Sequence, residues 1–407
     1  MAEIRENGRL HVTRREFLLG SAGVAVAAIG TTMIVSGCSS EENEGIVPGE
    51  LEVSESQVVQ SSDFTELETD DCIEQTAAFE LPMGSVGTMS CDDLAVFLVP
   101  GESTDVLTQI ALLSLESATL TTVLGSAVSH DEGFQVYDVR CNDDIMIWVE
   151  CNLHTEDWRV YIAPVENSAS IGTPLLVDQG DYDFDPPLLC VSGKRAFWTV
   201  MPYEEGSASD TDSLLKAASV GQKTPDVVYT SQGRMIANPQ ATDGIVTIVP
   251  RVEGARRYQM TALKEGNAEM VAAQILPSSM RVNDAIYLDG SFVFGIEQSY
   301  DFGGGISSFG TYAEMGGGQY LRFNRTPMDT PCKCGKYLVI KSTKSVVGLD
   351  LSTQEYFAIP TVANCESYGD FLLSTGTSSR IVTYTSVPEG DGSGDGIVKV
   401  RAYAPLG

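Results

Sequence analysis

Two short runs place carboxylates at alternate positions, the spacing at which side chains of one loop can reach a common cation. The run "DGSGDG", residues 391–396, begins like a calcium loop, with oxygen donors at Asp391, Ser393 and Asp395 and glycine for the sharp turn. The acid that closes such a loop is missing, so a flexible hairpin is the alternative. The run "DQGDYDFD", residues 178–185, could offer three carboxylates to a hard cation or form a solvated acidic loop. A divalent cation such as calcium is therefore the cofactor that these residues suggest.

Side chains for other chemistry are scarce. After residue 37 the histidines are His130 and His154, too few for a copper or zinc site built on several imidazoles. The run "CNLH", residues 151–154, is one cysteine short of the haem-attachment pattern, so we expect no haem. No nucleophile elbow, Ser-His-Asp order or glycine-rich phosphate loop stands out. Whether the protein is an enzyme stays open, because pairs of carboxylates are abundant and therefore unspecific.

The chain is strongly acidic. It carries 25 basic and 56 acidic residues, a formal charge of −31. Such a charge repels the phosphates of nucleic acids and of anionic lipids, whereas it attracts cations and basic proteins. We therefore expect no nucleic-acid partner, and an envelope protein or a small cationic ligand instead.

Recurring strand-like runs must position these residues. Each run follows a tight-turn signature, as in "CNDDIMIWV" and "LDGSFVFGI". The first apolar residues of the seven runs are Leu94, Ile145, Ala196, Ile245, Phe292, Tyr337 and Ile381. Their spacing is 44 to 51 residues, and segments rich in Val, Ile, Tyr, Trp and Thr lie between them. A period of this length with four strands in each repeat predicts a β-propeller.

The predicted fold is all-β: a seven-bladed β-propeller of four-stranded antiparallel blades over residues 75–407, with six or eight blades as alternatives. The last repeat lacks an outer strand, which "AAFELPM" at residues 77–83 could supply, so that an N-terminal strand closes the ring. The pattern resembles the extracytoplasmic bacterial propellers, a WD40-like architecture that includes the TolB-like and quinoprotein-like groups. The resemblance rests on period and strand pattern, so it implies a fold and assigns no functional residue.

The predicted loops differ in length between the two faces of the propeller. Turns between the first and second strands of each repeat are short, whereas the long loops belong to the opposite face, where binding residues concentrate. The acids of these long loops that we predict to bind a ligand are Asp131, Asp178, Asp181, Asp183, Asp210 and Asp212.

The N-terminal stretch "TRREFLLGSAGVAVAAIGTTMIVSGC", residues 13–38, has the order of an export signal. The pair Arg14 and Arg15 resembles the twin-arginine signal, and residues 35–38 resemble the lipobox of bacterial lipoproteins. The alternatives are an ordinary secretory signal and a cysteine within a transmembrane anchor. We expect residues 1–37 to be removed and acylated Cys38 to hold the protein on the extracytoplasmic side of the cell membrane.

Two further expectations concern the chain after Cys38. Residues 39–74 contain twelve acidic residues and no lysine or arginine, which predicts a disordered acidic tether over residues 38–74. Eight more cysteines follow, and an even number in an exported protein predicts disulfides, whose connectivity stays open.

Together these features predict a lipid-anchored extracytoplasmic β-propeller that binds a partner through an acidic long-loop face. The first alternative is an envelope hydrolase or lyase that acts on polysaccharide or peptide with carboxylate or divalent-metal chemistry. The second is a structural subunit of an envelope complex.

Overall fold

Short strands rich in β-branched and aromatic residues fill the chain from residue 49 onward. The computed structural model describes residues 46–206, 210–252, 254, 256–389 and 396–406. Several predicted residues lie outside these ranges: Arg14, Arg15, Cys38, Asp391, Ser393 and Asp395. Within the described ranges, no helix is long and apolar enough to span a bilayer.

The strands, numbered in chain order, begin with an N-terminal segment that crosses several sheets. It contains β1 (Gly49–Glu50), β2 (Val58–Gln60), β3 (Thr65–Glu66) and β4 (Ile73–Pro82). Short 3-10 helices lie at Glu55–Gln57, Ser61–Asp63, Thr69–Asp71 and, later in the chain, His130–Glu132.

The described strands pair into seven sheets, which we number in chain order. Sheet 1 has β5 (Val86–Cys91), β6 (Leu94–Ser103), β7 (Val106–Ser114) and β8 (Thr119–Leu124). Sheet 2 has β9 (Phe134–Cys141), β10 (Ile145–Asn152), β11 (Trp158–Asn167), β12 (Ser170–Ile171) and β13 (Leu175–Gly180). Sheet 3 has β14 (Leu189–Ser192), β15 (Arg195–Val200), β16 (Ser213–Ser219) and β17 (Asp226–Ser231).

The remaining sheets follow the same order. Sheet 4 has β18 (Gln240–Thr242), β19 (Ile245–Ile248), β20 (Gln259–Lys264) and β21 (Met270–Ile275). Sheet 5 has β22 (Asp284–Leu288), β23 (Ser291–Ile296), β24 (Gly310–Gly316) and β25 (Gln319–Phe323). Sheet 6 has β26 (Cys332–Cys334), β27 (Tyr337–Lys341), β28 (Val346–Asp350) and β29 (Glu355–Ala358). Sheet 7 has β30 (Phe371–Leu372), β32 (Ile381–Pro388), β33 (Gly396–Pro405) and β4, while β31 (Thr377–Ser378) pairs with β26.

The all-β propeller of four-stranded antiparallel blades is confirmed, and each predicted apolar run forms the second strand of a sheet. Turn chemistry explains this success. In sheets 4 and 5 the turn after the first strand is Asp243-Gly244 or Asp289-Gly290, and all four residues have positive φ, as tight hairpin turns require. The predicted closing strand is also confirmed, because β4 pairs with β33 in register Phe79↔Val400.

Hydrophobic clusters join every pair of neighbouring sheets. One cluster spans sheets 1 to 3, and separate clusters join sheets 3 and 4, 4 and 5, 5 and 6, and 6 and 7. A further cluster joins the ends of the order, since Phe97 of sheet 1 packs with Val382 and Val398 of sheet 7. Burial of apolar side chains on both faces of each sheet therefore stabilises the sheets as a ring.

The predicted disordered tether is wrong for residues 49–74. This segment, which we call the strap, adds β1, β2 and β3 in parallel to the outer edges of sheets 4, 5 and 6. Its side chains Leu51, Val53 and Phe64 are buried. The acidic composition misled the prediction because the unpaired main-chain groups of an outer strand bind an added strand whatever its side chains.

The disulfide prediction is not supported either. All eight cysteines of the described residues are free, and six of them are buried. Cys332 and Cys334 illustrate the reason: they lie two residues apart on β26 and pack within the cluster that joins sheets 6 and 7. These cysteines act as small apolar side chains.

Candidate binding face and channel mouth

The turns between first and second strands lie on one side of the molecule, which we call the turn face. Here a segment of sheet 7 reaches sheet 4, on the far side of the ring. The main-chain N–H of Thr377 donates to Thr242 Oγ1 at 3.1 Å, and Thr377 Oγ1 donates to Asp243 Oδ2 at 2.8 Å. Gly376, next to Thr377 in the chain, accepts the main-chain N–H of Lys333 at 2.8 Å. This crossing therefore joins sheet 4 to the connection between β30 and β32.

The opposite side, the loop face, contains the loops in which we predicted ligand-binding acids. Asp131, Asp181, Asp210 and Asp212 are exposed on it, and Asp183 is half-buried. Asp181 Oδ1 accepts the main-chain N–H of Asp183 at 3.1 Å. The acids are spread over separate loops, and among the described residues no three His, Cys, Asp or Glu side chains come together as metal ligands would.

Asp178 has a different role from the predicted one. It lies on β13 instead of in a loop, and its side chain is only 12% exposed. Its Oδ2 accepts hydrogen bonds from Trp198 Nε1 and from Lys216 Nζ, each at 2.8 Å. Asp178 therefore joins sheet 2 to sheet 3 and has no free oxygen positioned for a ligand at the surface.

Two neighbouring loops of the loop face brace each other. We call them the tyrosine loops, and they comprise residues 181–185 and 202–206. Tyr203 N donates to Asp183 O at 2.8 Å, and Asp185 N donates to Met201 O at 3.0 Å. Arg234 holds both loops, because it pairs with Asp185 Oδ2 at 2.5 Å and donates to Pro202 O. The geometry of the tyrosine loops is therefore fixed by main-chain and buried polar contacts.

The tyrosine loops present aromatic rings to solvent. Tyr182 is 63% exposed and Tyr203 is 48% exposed, and the exposed acids Asp181, Glu204 and Glu205 lie beside them. Other large apolar side chains are exposed on loops of the same face: Val128, Leu153, Phe309 and Tyr368. Aromatic side chains with a polar tip are common in protein interfaces, where they bury a large area at little conformational cost. The combination of exposed rings and acids suits a basic partner.

A buried charge cluster lies where the innermost strands of sheets 5, 6 and 7 begin. We call it the mouth cluster, and its members are Asp284, Asp329, Lys341, Asp370 and Arg401. Asp284, Asp329 and Asp370 lie at or just before the start of the first strands of sheets 5, 6 and 7. Their carboxyl groups therefore lie at the same end of three successive sheets. These acids were not among the predicted ligand-binding residues, because all of those were chosen from predicted long loops. An aspartate just before an innermost strand, as in "NDAIYL" and "GDFLLS", was the available signal.

Contacts within the mouth cluster are specific. Arg401 Nη2 lies 2.8 Å from Asp370 Oδ1, and Lys341 Nζ donates to Tyr368 O at 2.6 Å. Asp329 Oδ2 accepts the main-chain N–H of Leu372 at 3.0 Å. Lys341 and Asp370 are almost fully buried, while Asp329 is partly exposed. The cluster is therefore a desolvated network with one edge near solvent.

Burial shifts the protonation of these groups. It raises the pKa of Asp284 to about 7, and the neighbouring charges of Asp329 and Glu297 act in the same direction. Burial also raises the pKa of Asp329 to about 7, although the N–H of Leu372 and the charge of Lys341 oppose it. Burial lowers the pKa of Lys341 to about 8 against the opposing charges of Asp329 and Asp370. Such shifts near neutral pH are frequent at functional sites.

Comparisons with known proteins extend to the fold alone. No protein-family model matches the sequence, and curated protein sequences give no match. Among solved structures, a prolyl endopeptidase is similar with a TM-score of 0.48 and 9% identity over 78% of this chain and 46% of the other. The chain thus spans about half the length of that enzyme. An oligogalacturonate lyase in complex with manganese gives a TM-score of 0.45 and 9% identity over 80% of this chain and 89% of the other. The propeller domain of a trilobed protease from Pyrococcus furiosus gives a TM-score of 0.41 and 12% identity over 63% of this chain and 78% of the other.

Proposed function

We propose that this protein is an extracytoplasmic binding protein whose loop face captures a basic protein or a small cationic ligand. The observation that carries the proposal is the pair of exposed tyrosines, Tyr182 and Tyr203, held by mutually braced loops and flanked by acids. Exposed aromatic groups on a rigid support lose little conformational freedom on binding, so they convert buried area into affinity. The surrounding negative charge would steer a basic partner toward them.

Site-specific crosslinking in the producing host tests this proposal. We expect a photoreactive amino acid at Tyr182 to give a discrete adduct. The same group at Val220, an exposed position in a turn between outer strands, should give none. Replacing Glu204 and Glu205 by glutamine should weaken the adduct at Tyr182. Equal adducts at both positions would overturn the loop face as the binding surface.

We also propose that the sheets form one closed ring of seven blades, with six blades as the alternative. Seven separate sheets and a hydrophobic cluster between each neighbouring pair support the larger number. Six blades would leave one of the seven sheets outside the ring. An experimental map decides the matter, since seven blades are related by sevenths of a turn.

Membrane attachment through Cys38 after export with Arg14 and Arg15 is part of the same proposal. It is supported by the basic pair, the apolar run and the cysteine that closes the run. We expect the wild type to sediment with membranes and to carry acyl mass at Cys38, whereas Cys38→Ser should be released or remain uncleaved. Cys365→Ser is the matched control and should stay membrane-bound. A wild type that sediments with membranes but carries no acyl mass at Cys38 would contradict lipid anchoring.

One observation favours a second candidate, an envelope hydrolase or lyase. The Asp284 and Asp329 carboxyls have a pKa of about 7, which suits proton transfer at neutral pH. Turnover of an envelope polysaccharide or peptide that vanishes in Asp284→Asn would support this candidate over simple binding.

A further inference from the structure

The mouth cluster has more negative than positive groups. Its three carboxyls are Asp284, Asp329 and Asp370, and its two cations are Lys341 and Arg401. Arg401 pairs with Asp370 at 2.8 Å, and the charges of Asp329 and Asp370 both act on Lys341. When all five groups are ionised, Asp284 is therefore the carboxylate left without a cation. A buried carboxylate in this position is costly unless a proton or another cation joins it.

The surroundings of Asp284 are built to hold a carboxyl group. The residue is only 9% exposed, and its Oδ2 has no hydrogen-bond partner among the described residues. Gly295 lies opposite it on β23, in register with Asp284. A Cβ at position 295 would collide with Asp284 Oδ1, so glycine leaves the space that this carboxyl occupies. The unpartnered oxygen is thus a free acceptor inside a formed site.

The chemistry of the site favours an organic cation over a metal ion. Calcium takes six to eight oxygen ligands, whereas within the described ranges no three acidic, histidine or cysteine side chains are close enough together to hold a metal ion. The cluster already accommodates one ammonium group, because Lys341 is 1% exposed and its Nζ donates to the main-chain oxygen of Tyr368 at 2.6 Å. A second ammonium group would find free acceptors on Asp284 and Asp329. Its three N–H donors match such acceptors.

The pair can be approached from the loop face. Asp329 is partly exposed, and Glu297, whose charge reaches Asp284, is exposed on the loop that follows β23. Tyr368, whose carbonyl oxygen binds Lys341, is 38% exposed on the same face. A ligand held at the loop face could therefore extend a cationic group toward the mouth cluster.

We propose that Asp284 and Asp329 bind the primary ammonium group of a ligand that docks on the loop face. This inference rests on the proposed function for the route by which the ligand arrives. The ammonium group takes the place of protons held by the two carboxyls, so binding below about pH 7 releases protons to solvent. The ligand is a free amine or a lysine side chain or amino terminus of a peptide, and these share the same recognition.

The protonation of the pair predicts how binding depends on pH. The groups that face Asp284 are Asp329 and Glu297, and those that face Asp329 include Lys341. Because both carboxyls have a pKa of about 7, they hold protons below neutrality and lose them above it. A primary amine stays protonated until about pH 10. Affinity should therefore rise between about pH 6 and about pH 8, where only the carboxyls change.

Calorimetric titration of the full-length protein tests the proposal. The probes are butylammonium, spermidine and a lysine-containing tripeptide with blocked ends, together with tetramethylammonium, which has no N–H donor. We expect a primary amine to bind more tightly at pH 8 than at pH 6, and to release protons on binding at pH 6, where the carboxyls still hold them. Tetramethylammonium should bind at least tenfold more weakly at pH 8. If spermidine binds and the tripeptide does not, the ligand is a free amine. If the tripeptide binds more tightly than spermidine, the ligand is a peptide.

Variants complete the test. Asp284→Asn should lower amine affinity at least tenfold, whereas Asp63→Asn, which removes the same charge from the exposed strap, should not change it. If Asp284→Asn fails to fold, Asp329→Asn takes its place. Wild-type affinity in a folded Asp284→Asn variant, or no amine binding by the wild type, would overturn the inference. A crosslinked partner at Tyr182 combined with no amine binding would overturn this inference and leave the loop-face proposal intact.

Discussion

Single acidic residues of this protein behave in opposite ways according to whether a cation lies beside them. Asp178 and Asp185 looked alike in the sequence, and each is paired with a cation of sheet 3 or its following loop. Asp284 has no such partner and is more deeply buried than either. A hydrogen-bonded cation favours the ionised form of Asp178 and of Asp185, whereas no cation does so for Asp284. Charge alone therefore does not identify the acids available to a ligand.

The unpaired state of Asp284 gives a prediction about stability. Its pKa is about 7 in the folded protein and 3.8 ordinarily, so the folded state binds a proton more tightly than the unfolded state. The free energy of unfolding should therefore fall as pH rises from about 4 through about 7. Asp284→Asn cannot ionise and should be more stable than the wild type at pH 8 by on the order of 1–3 kcal/mol, with a smaller difference at pH 5.

Chemical denaturation of both proteins at the two pH values measures this effect. Asp63→Asn is again the control and should follow the wild type at both. A wild type and Asp284→Asn variant with parallel pH dependence would show that the Asp284 carboxyl is not an uncompensated charge.

At the scale of elements, the strap explains how the outer edges of the sheets are managed. Its residues donate to the outer strands at three separate places: Leu51 N to Ile275 O at 2.8 Å, Thr65 N to Gln354 O at 2.9 Å and Leu67 N to Tyr356 O at 2.8 Å. Exposed edges invite pairing with other chains, so a covering strand protects sheets 4 to 6 from aggregation. In sheets 1 to 3 the strap adds no strand.

Phe64 is the side chain that anchors the central part of the strap. It is 6% exposed and packs in the cluster that joins sheets 5 and 6, with Ile286 and Leu338. Phe64→Ala should cost about 3–5 kcal/mol if the cluster keeps its shape, and less if the strap simply detaches. Hydrogen exchange should accelerate at Thr65 and Leu67 and stay slow at Leu51. Unchanged exchange at all three amides would mean that the strap is held by main-chain pairing alone, and Ser62→Ala serves as the control.

At the scale of the whole molecule, a closed ring makes covalent crosslinks unnecessary. Each sheet packs against two neighbours, and β4, which directly precedes sheet 1 in the chain, completes sheet 7. In such a ring, a sheet that opens locally loses its packing against both neighbouring sheets at once. The cysteines can therefore remain thiols within apolar clusters.

Thiol titration tests this conclusion. We expect the eight cysteines after residue 45 to react in denaturant without reductant, and the melting temperature to be the same with and without reductant. In the folded protein most should be inert, since burial raises the pKa of Cys190 and of Cys334 to about 12. Cys365, which is partly exposed, should react first, and Cys365→Ser should remove that fast phase. A melting temperature lowered by reductant would reveal a stabilising disulfide.

The sequence by itself determined the repeat, the four-stranded antiparallel sheets and the closing strand. These features depend on local alternation and on turn residues such as Asp243-Gly244, which act over a few positions of the chain. It also identified the loop face, because loop lengths can be read directly, and the exposure of Asp131, Asp181, Asp210 and Asp212 agrees with it.

Only the tertiary structure decided the rest, because the decisive contacts join residues far apart in the chain. Asp284 and Asp329 belong to different sheets, Asp178 meets Lys216 across a sheet boundary, and the strap at Thr65 pairs with Glu355. Composition indicated a disordered tether and a disulfide framework because it reports average hydrophobicity and compartment. It cannot report which edge is open or which carboxylate is left without a cation.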